Sequence, residues 1–254
     1  MDGHIDHNHI KNFYNQVENV WQNDPWHNYS HLIISQFINK YNSYLSGEVL
    51  NAGSAGNDYG IKCEEMWHVD IAENKLHSIK KAICANIESL PFQNSSFDSV
   101  LCVGSVINYC DAFTVICEFT RVIRAHGNMI IEFESSNGFE YLHKPCFGQD
   151  ASIIKTSYIE AIHTQWLYSP RYIFNILKNA GFDIVKMKTF HILNGLAYHF
   201  MTDENAVSLA KRTDVIVGKI PIIKRYGNNI ILLCKKTTRA SLQKKQPPMP
   251  ILLK

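Results

Sequence analysis

Apolar residues change their spacing along the chain, from a helical period at the N-terminus to short strand-like runs further on. Within the stretch 10–21 they recur every three or four residues, and they do so again near 28–45. Pro25 stands between these stretches and disfavours helix at the residue before it. The pattern predicts two N-terminal helices in front of an α/β domain.

Five apolar runs follow, and the fourth is apolar almost throughout, as in a strand buried on both faces. The runs are EVLNAG (48–53), WHVDIA (67–72), AICAN (82–86), FDSVLCVGS (97–105) and NMIIEFE (128–134). Helices are predicted at 111–125, 169–181 and near 203–216, and two later strands at 183–190 and 228–236. Strands that alternate with helices favour parallel β-α-β units, and so an α/β fold with a doubly wound sheet.

The same pattern divides the chain into three parts. Residues 1–46 form the helical N-terminal part, 47–237 the α/β domain, and 238–254 a tail with prolines, basic residues and no period, predicted to be flexible. Within the domain, residues 135–168 show no regular spacing and are rich in aromatic residues and histidines. We predict a long irregular segment there.

Composition narrows the class of protein. Hydrophobic residues make up 46% and charged residues 19%, as in an ordinary globular protein. The formal net charge is only +2, and basic residues cluster only in the last strand and tail, so a nucleic-acid partner is not expected.

Cysteine usage and hydropathy indicate a compartment. The seven cysteines include no C-x-x-C pair, which argues against a zinc site or a disulfide framework and favours a reducing cytoplasm. The N-terminus is polar, and no apolar run is long enough to span a membrane. His4, His7 and His9 lack the spacing of a regular ligand set, so no metal is predicted.

A glycine-rich turn follows the first predicted strand, in VLNAGSAGNDYG (49–60). Such a turn, with a helix behind it that presents free N–H groups, commonly binds a nucleotide-like ligand. Asp70 ends the next strand, 17 positions after Gly53, where a carboxylate can accept hydrogen bonds from both hydroxyls of a ribose. A plain strand-to-helix turn with a capping Asp explains these residues equally well.

Three further segments carry a family resemblance: ESLPFQNSSFDSVLCV (88–103), RVIRAHGNMIIEFE (121–134) and NILKNAGFDIV (175–185). In order and spacing they resemble the class I S-adenosylmethionine-dependent methyltransferases, closely over 47–136 and more loosely over 169–236. The resemblance implies a seven-stranded, mostly parallel Rossmann-like sheet with an N-terminal helical lid. It also implies S-adenosylmethionine as cofactor and S-adenosylhomocysteine as product.

The resemblance implies a cofactor site residue by residue. Asp70 matches the acid that holds the ribose, Asn86 stands where the family usually has an Asp facing adenine, and Asn51 replaces the acid near the cofactor's amino group. The full predicted set is Asn51, Gly53, Ser54, Ala55, Asp70, Ile71, Asn86, Ile87 and Ser105. Because Asn51 keeps an acceptor oxygen without charge, we expect weaker but preserved binding.

A base could be needed to remove a proton from the acceptor. His143 and His163 are the first choices, because the segment 135–168 is where many family members cover the active site. The alternatives are His191, His199, Tyr109, Tyr141 and Glu134. For each histidine, a hydrogen-bonded or surface position without a catalytic role is the competing interpretation.

The N-terminal part is predicted to cover cofactor and substrate. The predicted lid and substrate residues are Tyr14, Trp26, His27, Tyr29 and Tyr109. A helix pair packed on the sheet edge through Trp21 and Trp26 explains the same residues equally well.

The function expected from the sequence is methyl transfer to a small molecule by in-line attack on the sulfonium methyl. Two alternatives stay open. The basic tail would suit an RNA or protein substrate, and the altered first motif would suit a fold that binds the cofactor without transferring methyl. The sequence does not predict the acceptor atom or the oligomeric state.

Overall fold

A computed structural model describes residues 5–21, 24–197 and 200–237, and seven of its strands form one sheet. In chain order the strands are β1 Glu48–Ala52, β2 Glu65–Asp70, β3 Ala82–Cys84, β4 Phe97–Cys102, β5 Ile123–Glu134, β6 Ala151–Tyr158, β7 Ala161–Tyr168, β8 Phe182–Phe190 and β9 Asn229–Lys236. The sheet order is β3-β2-β1-β4-β5-β9-β8, with β1 to β5 parallel and β9 antiparallel to both neighbours. The predicted seven-stranded, mostly parallel sheet is confirmed.

Helices cover both faces of this sheet. In the described part of the chain they are α1 His7–Gln16, α2 Pro25–Lys40, α3 Ala112–Val122, α4 Pro170–Asn179, α5 Leu193–Ala197 and α6 Asp203–Val217. On one face α3 and α4 bury Phe119 and Leu177 against the strands. On the other, α2 and α6 bury Phe37, Ile38 and Val207. The sheet is therefore doubly wound, as predicted.

Two helices begin where their capping residues predict. Asp24 precedes α2 and accepts a hydrogen bond from the backbone N–H of His27, while Pro25 occupies the first turn. Ser169 caps α4 in the same way by accepting from the N–H of Tyr172. The N-terminus of α2 is thereby fixed near the carboxyl ends of the parallel strands, where the candidate site lies.

The helix predicted behind the glycine-rich turn is absent. Residues 53–64 connect β1 to β2 without a helix. Glycine is a poor helix former, and both Ala55 and Tyr59 have positive φ values, 42° and 53°, which no α-helix contains. The prediction of a helical N-terminus at this turn was therefore wrong.

The prediction of an irregular segment at 135–168 was wrong for its second half. Strands β6 and β7 form an antiparallel hairpin in which Tyr158 pairs with Ala161. The two turn residues, Ile159 and Glu160, both have positive φ, as a type I′ turn requires. Because Asn-Gly or a similar pair usually marks this turn, Ile-Glu gave no recognisable signal.

The fifth strand begins earlier than predicted. The helix α3 ends at Val122 and β5 starts at once with Ile123, which pairs with Phe97 of β4. The register then shifts, so that Ser99 pairs with Asn128, and the extra residues of β5 form an irregular bulge. Only the second half of β5 carries the regular apolar pattern, which explains the late predicted start.

Within the described residues, no helix is long and apolar enough to cross a membrane. The predicted flexible tail, 238–254, and the candidate base His199 lie outside the described residues.

Candidate active site

A cavity of about 410 Å³ lies at the carboxyl ends of the parallel strands. Loops after β1, β2, β3 and β4 form its floor, while α1, the start of α2 and the β6–β7 hairpin contribute to its walls. Twelve of the predicted site residues line it: Gly53, Ser54, Ala55, Asp70, Ile71, Asn86, Ile87, Ser105, Tyr14, Trp26, His27 and Tyr109. Open α/β sheets bind ligands at this edge.

Asp70 joins the glycine-rich turn to the end of β2. Its Oδ2 accepts a hydrogen bond from the N–H of Ala55 at 2.7 Å, and its Oδ1 accepts from Ala72 at 2.8 Å. Burial raises the pKa of this carboxyl, and the backbone N–H groups offset part of the rise. A carboxylate has about four acceptor positions, so Asp70 can still accept from hydroxyl groups in the cavity.

Beside β3, the first helix reaches the cavity through His7. The Nε2–H of His7 donates to the carbonyl oxygen of Tyr109 at 3.0 Å, and its Nδ1 accepts from the amide of Asn86 at 3.0 Å. This pair of contacts fits a neutral imidazole protonated on Nε2. Asn86 also donates to Glu88 and accepts from its N–H. The helix α1 is thus tied to two loops of the floor.

Tyrosines close the same wall. The hydroxyl of Tyr14, in α1, donates to that of Tyr109 at 3.2 Å. Further along, the ammonium group of Lys75 donates to the carbonyl oxygen of Val17, just after α1. Besides these polar tethers, the ring of Phe13 contacts His163 and Tyr158 of the hairpin, and Ile10 is the one buried side chain of α1.

A buried glutamate supports the loop after β4. Both Gly104 and Ser105 donate their backbone N–H groups to Oε2 of Glu132, at 2.9 and 2.6 Å. The amide of Asn229 donates to Oε1 at 2.8 Å. Burial raises the pKa of Glu132, and these donors offset part of the rise. The carboxylate therefore fixes a loop that lines the centre of the cavity.

Two more carboxyls face the cavity next to Glu132. Glu134, at the end of β5, accepts from the hydroxyl of Tyr141 and from the amide of Gln165 at 2.7 Å. Glu140 accepts from the amide of Asn228 at 2.6 Å. Burial raises the pKa of both carboxyls. This end of the cavity is therefore negatively charged when Glu134 and Glu140 are ionised, and neutral when they are protonated.

Known proteins share this domain and fold. A family model described as a methyltransferase domain matches residues 47–131. Residues 47–131 therefore carry a methyltransferase domain, consistent with the class I S-adenosylmethionine-dependent methyltransferases. An uncharacterised protein of Methanocaldococcus jannaschii is 28% identical to this methyltransferase over 169 residues, which cover 57% of this chain and 73% of that protein.

Solved structures show how widely the fold is used. The 1,6-didemethyltoxoflavin-N1-methyltransferase of Burkholderia thailandensis, solved with 1,6-didemethyltoxoflavin and S-adenosylhomocysteine, is similar with a TM-score of 0.55 at 11% identity, covering 91% of this chain and 87% of that chain. The cyclase SpnF is similar with the same TM-score at 12% identity, covering 91% and 97%. At these identities the likeness concerns the fold alone.

Asn51 does not line the cavity of the methyltransferase. Its amide donates to the carbonyl oxygen of Asn57 at 2.7 Å, across the glycine-rich turn. Only 1% of the residue is exposed. Asn51 therefore closes the turn from behind, where an acid would place a carboxylate against a carbonyl oxygen.

The two histidines predicted as the base are not at the cavity either. His143 is exposed in the loop after β5. His163 is fully buried in β7, with its ring 4.3 Å from that of Phe13 and 5.4 Å from that of His9. The structure places both outside the set of residues that line the cavity.

Two further predicted residues, Tyr29 and His191, lie outside the cavity lining. Tyr29 is buried within α2 and donates to Asp214 at 3.2 Å, away from the cavity. The alternative base His191 is also buried, stacked 3.7 Å from Trp26, which does line the cavity. The histidine thus supports the wall from behind.

One group of described residues has the composition of a metal site. Ligand atoms of His7, Glu88 and Cys110 lie within 4.8 Å of one another. Glu88 accepts from Asp111 and Asn86, and His7 contacts Tyr109. Burial raises the pKa of the Cys110 thiol, which disfavours the thiolate that binds a metal. Hydrogen bonding thus accounts for the positions of His7 and Glu88.

Several lining residues were not predicted from the sequence, namely Glu132, Glu140, Gln165, Asn229, Tyr59 and Tyr158. Glu132 did leave a signal, because it lies two positions before Glu134 in an otherwise apolar strand and so shares its face. Of the alternative bases that the structure describes, Glu134 and Tyr109 line the cavity. Glu140 and Gln165 come from segments whose structure the sequence did not reveal.

Proposed function

We propose that the protein transfers the methyl group of S-adenosylmethionine to a small-molecule acceptor inside this cavity. The observation that carries the proposal is the position of Asp70. Its buried carboxyl lines the cavity between the glycine-rich turn and the loop after β3. This arrangement of acid and turn is the one through which Rossmann-like folds bind a ribose.

The lining residues fit the cofactor in three places. Asp70 would accept the ribose hydroxyls, Asn86 and Ile87 would border the adenine, and the loop at Ser105 would border the methionine end.

The enclosure of the cavity supports a small acceptor. Side chains from α1, from the start of α2 and from the hairpin all contribute to its lining, among them Tyr14, Trp26 and Tyr158. S-adenosylmethionine supplies an activated methyl group on a sulfonium. The remaining task of the protein is to hold the acceptor in line with that methyl and to exclude water.

Binding of the cofactor is the first test. Calorimetric titration of the native protein with S-adenosylhomocysteine should give saturable binding, and Asp70→Ala should weaken it by at least about tenfold, the effect of one lost charge-assisted hydrogen bond. Asp183→Ala, which removes an exposed carboxylate from β8, serves as the control and should bind like the native protein. Equal affinity of the native and Asp70→Ala proteins would contradict the proposed site.

A second candidate function follows from the likeness to the cyclase SpnF. The same fold could bind the cofactor and catalyse a reaction without methyl transfer. Incubation with S-adenosylmethionine labelled at the methyl group and a panel of small acceptors distinguishes the two. Labelled product supports methyl transfer, whereas cofactor binding without any labelled product favours the second candidate.

A further inference from the structure

We propose that the methyl acceptor is an amine, bound in protonated form at an acidic subsite formed by Glu134 and Glu140, beside Asn229. This inference rests on the proposed function and adds the chemical class of the acceptor. The three residues meet at one end of the cavity, because Glu134 and Asn229 are direct partners in the β5–β9 ladder. Glu140 joins them through Asn228, the residue before Asn229.

The charges at this end of the cavity select against an anionic acceptor. Carboxyl groups of Asp24, Asp70, Glu132, Glu134 and Glu140 line the cavity, and among its described lining residues there is no lysine or arginine. Next to Glu134 and Glu140, a phosphate or carboxylate group of the acceptor would meet like charge without a lysine or arginine to compensate it. An ammonium group would meet the opposite charge.

The carboxyl groups of the subsite keep hydrogen-bonding capacity. Asn229 does not add to it, since its amide donates to Glu132 and its Oδ1 is inaccessible. Asn228 donates to Oε2 of Glu140, and no described residue donates to Oε1. This oxygen is an acceptor, so it suits a ligand that donates hydrogen bonds, as an ammonium group does.

Aromatic rings form the rest of the wall. Trp26 and Tyr158 line the cavity together with Tyr14 and Tyr59. Aromatic faces attract cations and pack against the apolar part of a ligand. The combination of rings and carboxylates favours an aromatic or alkyl amine over a strongly hydrated polar molecule.

Neighbouring charges leave the subsite acidic. Lys144 is exposed and lowers the pKa of Glu134 and Glu140 only in part, and burial dominates for both. Asp24 is paired with the ring of His27 at 2.6 Å. Burial, assisted by the charge of Glu134, raises the pKa of Glu140 to about 7. A carboxylate with this pKa can take up a proton near neutral pH.

The chemical step balances with these groups. Glu140 takes one N–H proton from the ammonium group, which frees the lone pair of the nitrogen. The nitrogen then forms a bond to the methyl carbon while the carbon–sulfur bond breaks and its electron pair goes to sulfur. The products are an N-methylated ammonium ion and a neutral thioether.

The test compares ligands that differ in charge, on protein saturated with S-adenosylhomocysteine. The amines are benzylamine, 2-phenylethylamine and histamine, and the matched compounds are 2-phenylethanol and 3-phenylpropanoate. Calorimetry should show at least one amine binding at least about tenfold more tightly than the alcohol and the carboxylate, as expected for a charge-assisted contact. This comparison needs only the native protein.

Variants of single carboxyl residues show where the amine binds. Glu140→Gln should weaken amine binding by at least about tenfold and leave the affinity for S-adenosylhomocysteine unchanged, which also shows that the variant is folded. Glu64→Gln alters an exposed carboxylate at the opposite edge of the sheet and should match the native protein in both titrations.

Three results would overturn the inference. The first is tight binding of the alcohol or the carboxylate, and the second is the failure of every amine while S-adenosylhomocysteine binds. The third is a loss of S-adenosylhomocysteine affinity in Glu140→Gln as large as the loss for the amine, since the carboxyl would then serve the cofactor. If the native protein does not bind S-adenosylhomocysteine at all, it is the proposed function that fails.

Discussion

At the scale of single residues, the family resemblance predicts a cofactor contact for Asn51, but this residue does not line the cavity. Its position in the chain matches an acid that approaches the cofactor, yet its amide closes the turn through Asn57. The side chain is a donor in this contact, and an acid could not replace it. The residue type therefore follows from the turn itself, whose carbonyl oxygen requires a donor.

The Asn51→Asp variant tests this account. A carboxylate would face the carbonyl oxygen of Asn57 inside the turn, so we expect a loss of about 1–3 kcal/mol in the free energy of unfolding. Urea denaturation measures it, with Asn205→Asp, on the exposed side of α6, as the control. Unchanged stability together with tighter binding of S-adenosylhomocysteine would instead support the role predicted from the sequence.

Gly53 offers a second test at this scale. Its φ is +70°, and an added Cβ would lie 2.4 Å from a methyl carbon of Val106. Gly60 has a similar φ of +66° with nothing within 4 Å. Gly60→Ala should therefore cost about 1–2 kcal/mol from backbone strain alone. Gly53→Ala should cost more, and equal losses in thermal denaturation would show that the contact with Val106 relaxes.

At the scale of elements, the two N-terminal helices lie in different surroundings. The N-terminal helix α2 buries its apolar side on the sheet, whereas α1 lies at the cavity and buries only Ile10. The two N-terminal helices thus differ in role: one belongs to the core and the other covers the site. The alternative predicted from the sequence, a helix pair packed on the sheet edge through Trp21 and Trp26, differs from this, because both tryptophans line the cavity.

Docking of α1 should depend on pH through His163. Burial lowers the pKa of this histidine, and the charge of a protonated His9 would lower it further. Tyr109, whose ring also faces it, stays neutral near pH 7 because burial raises its pKa to about 12. Because the folded-state pKa lies below the ordinary value of about 6.5, the contribution to stability is present above that value and lost as pH falls below it.

Limited proteolysis within α1 measures this effect. We expect cleavage to accelerate between pH 7.5 and pH 5 in the native protein, conditions that span the ordinary pKa of about 6.5. His163→Gln, which cannot take up a proton, should show a shallower pH profile with a protease of constant activity, the remaining slope coming from His7 and His9. A profile in His163→Gln as steep as in the native protein would assign the effect to another group.

At the scale of the whole molecule, the fold followed from the sequence more completely than the site did. Long buried strands such as β4 and β9 and the capped helix α4 have local patterns that agree with their tertiary environment. The β6–β7 hairpin does not, since Ile159 and Glu160 occupy a turn that usually requires glycine or asparagine. Because that hairpin carries Gln165 and Tyr158, part of the cavity wall was invisible in the sequence.

Catalytic groups were the hardest to predict, for a related reason. Glu140 becomes notable only through burial and through its neighbours Asn228 and Glu134, which come from other segments of the chain. A histidine draws attention in a sequence because its ordinary pKa is near neutral. In the structure it is the carboxyl of Glu140 whose pKa lies near neutral, whereas His163 is buried outside the cavity lining.

Ligand linkage supplies a test on the molecule as a whole. S-adenosylhomocysteine at about 100 times its dissociation constant should raise the free energy of unfolding by about 2.7 kcal/mol, because it binds only the folded state. Thermal denaturation with and without the ligand measures this rise. Asp70→Ala at the same ligand concentration should show little of it, and a full rise in this variant would place the binding site elsewhere.

The hydrogen bonds that hold α1 over the cavity have a kinetic consequence. His7 and Tyr14 tie this helix to loops of the cavity floor, so we expect ligand entry to require movement of the helix. The observed association rate in a stopped-flow experiment should therefore level off at high ligand concentration, at a ceiling equal to the opening rate. Tyr14→Phe, which removes one tether, should raise that ceiling.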